Sequence, residues 1–115
     1  MDATVLKLNP KLVVAHNELG LAYDKKGDYD KAITEYTIAI KHTENAYIYY
    51  NRGLAYHHKG DLDKAIVDYT KALTLNSMDA GAYNSRGIAF QEKGDDDKAD
   101  ADFKKAKNLV WKKNM

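Results

Sequence analysis

The side chains of this chain that could bind a metal ion or perform acid–base chemistry are four histidines and seventeen acidic residues. His57 and His58 are adjacent, and neighbouring side chains on a helix point about 100° apart, so they cannot share one metal ion as an i, i+4 pair can. The absence of cysteine excludes disulfides, thiol nucleophiles and thiolate metal sites. No serine, histidine and aspartate set and no phosphate-binding glycine loop is recognisable. The sequence therefore predicts no enzyme activity, no catalytic residue, no metal site and no cofactor.

A second group of side chains suits binding rather than catalysis. Asn17, Asn51 and Asn84 recur along the chain, and an amide can both donate a hydrogen bond to a peptide backbone and accept one from it. Tyr47 and Tyr50 combine a large apolar ring with a polar tip, as interface anchors do. These residue types indicate contacts with an extended peptide.

The elements that position these residues form an internal repeat. Six positions recur in three copies, at steps of 33 and then 34 residues, and only a tyrosine to phenylalanine change separates the copies. Composition bias does not produce fixed spacings of this kind. The recurring positions are Gly20, Tyr23, Gly27, Ala32, Tyr36 and Ala39, then Gly53, Tyr56, Gly60, Ala65, Tyr69 and Ala72, then Gly87, Phe90, Gly94, Ala99, Phe103 and Ala106.

Each copy carries the same punctuation, a Gly-Asp pair that begins at Gly27, Gly60 or Gly94. Glycine tolerates the left-handed conformation that ends a helix, and the aspartate side chain can cap the next helix. Apolar residues follow a spacing of three and four, which excludes strands. Each repeat is therefore predicted to be two helices joined by a tight turn, and the fold class is all-α.

The small residues inside the helices predict close packing. A glycine within a helix costs about 1 kcal/mol relative to alanine, so Gly20, Gly53 and Gly87 must gain something in return. Close approach of the second helix supplies that gain, with an alanine such as Ala65 at the crossing point. The repeated aromatic residues are predicted to fill the core beside it.

The recurring Gly, Tyr, Ala, aromatic, Ala pattern resembles the tetratricopeptide repeat over residues 13 to 113. The resemblance implies a right-handed superhelical stack of antiparallel helix pairs, in which the first helix of each pair lines a concave groove that binds a peptide or protein segment. The common first-helix tryptophan is absent, and a repeat-closing proline is present only at Pro10. We predict one domain over residues 1–115, with repeats at 13–45, 46–79 and 80–113 and the tail of a preceding repeat at 1–12.

If first helices line the groove, one stripe of each first helix forms the binding surface. A simple solvated inner face is the alternative for any single residue. The predicted groove residues are Asn17, Leu21, Tyr47, Tyr50, Asn51, Leu54, His57, Asn84, Ile88 and Gln91. The wider stripe adds Val14, Glu18, Asp24, Gly81 and Ser85.

Some members of the family bind acidic chaperone C-termini through a clamp of two lysines, one arginine and two asparagines. The matching positions here are Asn17, Leu21, Asn51, Gly81 and Ser85, and only Asn51 fits. Without the three cations, the charge-assisted hydrogen bonds that hold two carboxylates are absent. The resemblance therefore does not predict chaperone-tail binding here.

Charge and hydropathy exclude other partners. Net charge is +1, and the predicted groove contains no lysine or arginine, so we expect no nucleic acid binding. No uncharged stretch is longer than 45–51, which is far shorter than the ~20 apolar residues that cross a bilayer, so we expect no membrane contact and a cytoplasmic location. Arg52 and Arg86 each precede an aspartate by sixteen residues, at Asp68 and Asp102, which predicts exposed ion pairs worth less than about 1 kcal/mol.

The two ends of the array differ. Charged residues at Asp96, Asp100 and Lys107 replace apolar residues of earlier repeats, so repeat three is predicted to be a polar cap. The N-terminal segment, with Val5 and Leu6, covers only part of the next helix. Weak self-association through this N-terminal edge is expected. The alternative function is therefore a structural segment that self-associates or belongs to a longer array.

Overall fold

The computed structural model describes residues 10–113, which form helices and no strand. The helices are α1 Pro10–Lys26, α2 Tyr29–Ile40, α3 Ala46–Lys59, α4 Leu62–Leu75, α5 Ala80–Lys93 and α6 Asp96–Lys113. Each helix packs mainly on its neighbours in the chain, and α3 also touches α1 and α5. The predicted all-α stack of helix pairs is confirmed.

The turn within each pair is a Schellman motif built on a left-handed glycine. At the α3–α4 turn, Gly60 has φ 93°, and the N–H of Asp61 donates to the carbonyl of Tyr56 at 2.9 Å. The Asp61 side chain then accepts from the N–H of Lys64 at 3.2 Å, as an N-cap should. Asp28 makes no such side-chain bond, so the predicted cap is wrong at the first repeat.

The helical glycines accommodate an aromatic ring from the second helix. A Cβ on Gly53 would lie 2.7 Å from the ring of Tyr69, and one on Gly87 would lie 2.7 Å from the ring of Phe103. No methyl group fits at these distances. The close approach predicted from the glycines is therefore present, and the rings of α4 and α6 occupy the space that it opens.

The core lies between a second helix and the first helix that follows it. Tyr36 and Ala39 of α2 form one buried cluster with Ile48 and Ala55 of α3. Ala65, at the predicted crossing point, is also completely buried. Burial of apolar surface stabilises a fold by about 25 cal/mol per Å². Because this cluster spans two repeats, its burial stabilises the stack and not only the single repeat.

The arginine–aspartate pairs join the two helices of one repeat, as their spacing predicts, but they are largely buried and not exposed. Arg52 donates two hydrogen bonds to Asp68, at 2.7 and 2.8 Å, and the Asp68 side chain is only 3% exposed. The guanidinium carbon lies 5.7 Å from the centre of the Tyr49 ring and 5.8 Å from that of the Tyr56 ring. The hydrogen bond to Asp68 is the main cause that raises the Arg52 pKa. Burial makes this pair costly to break, unlike a surface ion pair.

The arginine also reaches the preceding repeat. Arg52 donates to the hydroxyl of Thr37 on α2, at 3.2 Å, and Arg86 repeats the pattern with Asp102 and with Thr70 on α4. In the first repeat, His16 bonds to Glu35 at 2.8 Å. Each arginine therefore ties its own helix pair to the pair before it.

The C-terminal end is only partly the polar cap that the sequence predicts. Asp96, Asp100 and Lys107 are exposed, as expected, but so are Val110 and Trp111. These two apolar side chains lie on α6, which has 18 residues where α4 has 14. Residues 1–9 of the predicted N-terminal tail, with Val5 and Leu6, lie outside the described residues, and residues 10–12 of that tail begin α1.

Candidate functional site

The first helices α1, α3 and α5 lie side by side and are joined by hydrogen bonds between side chains. Asn51 donates through Nδ2 to Oδ1 of Asn17 at 3.1 Å, which links α3 to α1. The hydroxyls of Tyr50 and Ser85 are 2.9 Å apart, which links α3 to α5. Such links fix the spacing of the first helices before any ligand arrives, which lowers the entropic cost of binding.

The adjacent histidines add two more links, one in each direction along the stack. His58 bonds through Nδ1 to Asp24 on α1, and His57 bonds through Nε2 to Glu92 on α5, each at 2.9 Å. His57 also contacts the Tyr69 hydroxyl at 3.2 Å. The two rings face different carboxylates, and residues 10–113 contain no group of side chains arranged to hold a metal ion.

An apolar pocket lies where α1 and α3 meet, and we call it the α1–α3 pocket. Its volume is about 600 Å³, and Val14, Leu21 and Tyr47 on its walls are exposed, Tyr47 to 58%. Its complete lining is Pro10, Val13, Val14, Asn17, Glu18, Leu21, His42, Thr43, Asn45, Tyr47 and Ile48. The pocket therefore contains three predicted groove residues, Asn17, Leu21 and Tyr47, from two first helices.

The predicted groove residues differ widely in exposure. Asn51 is only 3% exposed, because its amide is directed at Asn17 within the stack. The exposed members of the set are Leu21, Tyr47, Asn84, Ile88 and Gln91, and the half-buried members are Asn17, Tyr50, Leu54 and His57. The exposed members are open to solvent, while Asn51 holds the side chain of Asn17.

Tyr50 and Leu54, two of the predicted groove residues, pack into the core. Both pack against the core cluster around Tyr69, and the rings of Tyr50 and Tyr69 are 5.7 Å apart. Burial raises the pKa of the Tyr69 hydroxyl above the ordinary range of a tyrosine. A large truncation at Tyr50 would therefore disturb the core as well as the groove.

Sequence reasoning missed His42, which lines the α1–α3 pocket from the loop after α2. Its Nδ1 atom is buried and has no hydrogen-bond partner within residues 10–113. The Tyr36 hydroxyl is also buried without a partner in that range, and burial, with Asp24 and Tyr47 nearby, raises its pKa. Neither signal is visible in the repeat pattern, since His42 does not occupy a recurring position.

The five positions that match the carboxylate clamp of other repeat proteins carry uncharged residues here. Asn17 and Asn51 bond to each other, and Ser85 bonds to Tyr50. Leu21 and Gly81 complete the set, so the five positions present no cation. The groove lacks the charges that would hold a pair of carboxylates.

Comparison with known proteins decides the family. The sequence profile of the tetratricopeptide repeat matches residues 46–79, and related tetratricopeptide repeat profiles match 4–34, 25–60 and 80–109. The structure of the Arabidopsis OM64 TPR domain is 34% identical, with a TM-score of 0.82, and the match covers 86% of this chain and 83% of that one. The chain belongs to the tetratricopeptide repeat family.

Other solved tetratricopeptide repeat structures are similar to this chain. The second TPR of Spaghetti (RPAP3), bound to the HSP90 peptide SRMEEVD, is 29% identical with a TM-score of 0.84, over 90% of this chain and 96% of that one. MamA is 34% identical with a TM-score of 0.87, over 95% of this chain and 64% of that one. A sequence search of curated proteins finds no significant match.

The tetratricopeptide repeat stack contains no helix, within residues 10–113, that is long and apolar enough to cross a membrane.

Exposed ion pairs also connect the repeats. Lys59 and Lys93 pair across repeats with Asp30 and Asp63. These links lie at the turn end of the stack. They join each first helix to the second helix of the preceding repeat, and as exposed pairs they contribute little to stability.

Proposed function

We propose that this protein is a protein-interaction module that binds an extended peptide or protein segment along the groove of α1, α3 and α5. It acts by holding its partner and not by catalysis. Solved relatives that bind chaperone peptides, such as the RPAP3 domain, support an interaction role for this architecture. The partner differs from an acidic chaperone tail, because the cations of that clamp are absent here.

One observation carries this proposal. The exposed apolar side chains Leu21 and Tyr47 flank a pocket of about 600 Å³ on helices whose spacing is fixed by side-chain hydrogen bonds. A preformed apolar pocket with a few polar groups is the usual form of a recognition site. Asn17, with its Oδ1 held by Asn51, is placed to donate an amide hydrogen bond to a ligand carbonyl.

Selection from a library of short random peptides on the immobilised protein tests the proposal. We expect peptides whose affinity falls by at least about 1 kcal/mol, or roughly fivefold, on the change Tyr47→Ala, because exposed aromatic anchors carry much of the affinity of an interface. Isothermal titration calorimetry of the selected peptides measures this loss.

The matched control is Val67→Ala, which truncates a side chain that is 66% exposed on the second helix α4. This variant should bind the selected peptides as the unmodified chain does. Equal losses for Tyr47→Ala and Val67→Ala, or no loss for either, would place binding outside the groove. Circular dichroism of both variants checks that the helices are intact.

A specific feature favours a second function, assembly through the C-terminal end. An open pocket of about 690 Å³ lies beside Phe103 and Ala106, next to the exposed Trp111. The equivalent residues of the first repeat, Tyr36 and Ala39, share a buried cluster with Ile48 of the following first helix. The C-terminal pocket therefore has the shape that, within the stack, receives a helix.

Trp111 is the only tryptophan of the chain and reports on this second function. If copies associate through this end, its fluorescence should shift to shorter wavelength as the protein is concentrated from ~1 to ~100 µM, the range in which weak dimers form. Light scattering should show a matching increase in mass, which Val110→Asp should abolish. An unchanged spectrum with a constant monomer mass would exclude assembly through this end.

A further inference from the structure

We propose that the α1–α3 pocket selects an aliphatic side chain with a basic residue beside it, so that the preferred partner is an apolar and basic segment. The proposal rests on the function above and names its class of ligand. It follows from the pocket lining, the charge at the rim and the unpaired histidine, taken in turn.

The walls of the pocket are suited to an aliphatic side chain. Val14, Leu21 and Tyr47 expose apolar surface around it, and Ile48 closes its floor with a buried side chain. Placing an aliphatic side chain against these walls removes apolar surface of both partners from water, which is the main favourable contribution to binding. A polar side chain would gain less from the apolar walls.

The charge at the rim is negative. Glu18 is exposed at the edge of the pocket, and the described residues that line it include no lysine or arginine. A lysine or arginine beside the inserted side chain would be attracted to the Glu18 carboxylate, and an aspartate or glutamate would be repelled. This arrangement is the reverse of a clamp for carboxylates.

The third feature is a buried polar atom without a hydrogen-bond partner among the described residues. Nδ1 of His42, in the pocket lining, has no hydrogen-bond partner within residues 10–113. Buried polar atoms are nearly always hydrogen-bonded in folded proteins, because an unpaired one costs free energy. His42 lines the pocket, so a segment bound there lies next to this ring.

Three short peptides in the same Gly-Ser frame test the inference. Their centres are Leu-Lys-Arg, Leu-Glu-Asp and Ser-Lys-Arg, and binding to the isotope-labelled protein is followed by nuclear magnetic resonance. We expect the Leu-Lys-Arg peptide to bind at least about fivefold more tightly than either of the others. Its binding should shift the ring nitrogen signals of His42 and the methyl signals of Leu21.

Two variants assign the preference to its causes. Glu18→Gln removes the charge at the rim and should reduce the difference in affinity between the Leu-Lys-Arg and Leu-Glu-Asp peptides. Leu21→Ala removes part of the apolar wall and should reduce the difference in affinity between the Leu-Lys-Arg and Ser-Lys-Arg peptides. Val67→Ala is again the control and should change neither ratio.

The outcomes separate the inference from the function on which it rests. If the acidic peptide binds as tightly as the basic one and still shifts Leu21, the charge preference is wrong while the groove function stands. If no peptide of the series binds, the inference is also overturned. If a peptide binds but Leu21 and Tyr47 show no shifts, the groove itself is not the binding site.

Discussion

Replacing Arg52 with methionine should destabilise the protein severely, although the residue lies on a first helix near the surface. The change leaves the Asp68 carboxylate, 3% exposed, without the two hydrogen bonds of 2.7 and 2.8 Å that satisfy it. It also removes the bond to Thr37 and the contacts with two tyrosine rings. Breaking a buried pair by removing one partner typically costs about 3 to 5 kcal/mol.

A loss of this size is a large part of the total stability of a small domain, which is about 5 to 15 kcal/mol. Urea unfolding followed by circular dichroism measures it. The melting temperature should fall by roughly 10 to 20 °C for a chain of this length. Arg86→Met should give a similar result, because Arg86 and Asp102 form the same geometry in the third repeat.

The double variant Arg52→Met, Asp68→Leu tests the cause. With both partners replaced by apolar groups, no buried charge is left unpaired, so most of the stability should return, to within about 1 to 2 kcal/mol of the original. A single Arg52→Met variant that loses less than about 1 kcal/mol would refute this reasoning. The pair would then behave as an ordinary surface ion pair.

Two further predictions concern the glycines and the buried tyrosines. Gly53→Ala should lower the free energy of unfolding by about 1 to 3 kcal/mol despite its better helix propensity, since its Cβ would lie 2.7 Å from the Tyr69 ring; unchanged urea unfolding would contradict this. Burial raises the pKa of Tyr36 and Tyr69, so the folded state keeps two protons that the unfolded chain releases above about pH 10. Stability is therefore full below that pH and falls above it, and phenolate absorbance should show Tyr36 and Tyr69 ionising at higher pH in the folded protein than in the unfolded chain.

The repeat pattern was sufficient to predict the helices and their pairing. Gly60 adopts the left-handed conformation that ends a helix, and Gly53 lies against the ring of Tyr69. Glycines with such requirements leave few alternative conformations for the chain. The Asp28 cap was predicted wrongly because a residue type permits a cap but does not set the local geometry that makes one.

The groove was harder to predict because residues of one type on the first helices differ in their surroundings. Asn17 and Asn51 lie on successive first helices, yet only Asn51 is buried, and it donates to Asn17. Tyr47 and Tyr50 are one helical turn apart, but only Tyr50 packs on Tyr69. Such differences depend on the neighbouring repeat, which a pattern within one repeat does not contain.

The burial of the ion pairs could not be read from spacing either. The interval of sixteen residues predicted correctly that Arg52 meets Asp68. The position of the Tyr49 and Tyr56 rings near the guanidinium and the 3% exposure of Asp68 are properties of three-dimensional packing. Spacing alone therefore gave only the low value of an exposed pair.

The most direct test of the proposed function maps where a selected peptide lies on the folded chain. Amide chemical shifts of the isotope-labelled protein should be recorded during titration with the peptide that binds most tightly in the library selection. We predict that the largest shifts occur in α1, α3 and α5 and centre on Leu21 and Tyr47. Largest shifts in the second helices α2, α4 and α6, around Val67, would contradict binding in the groove of the first helices.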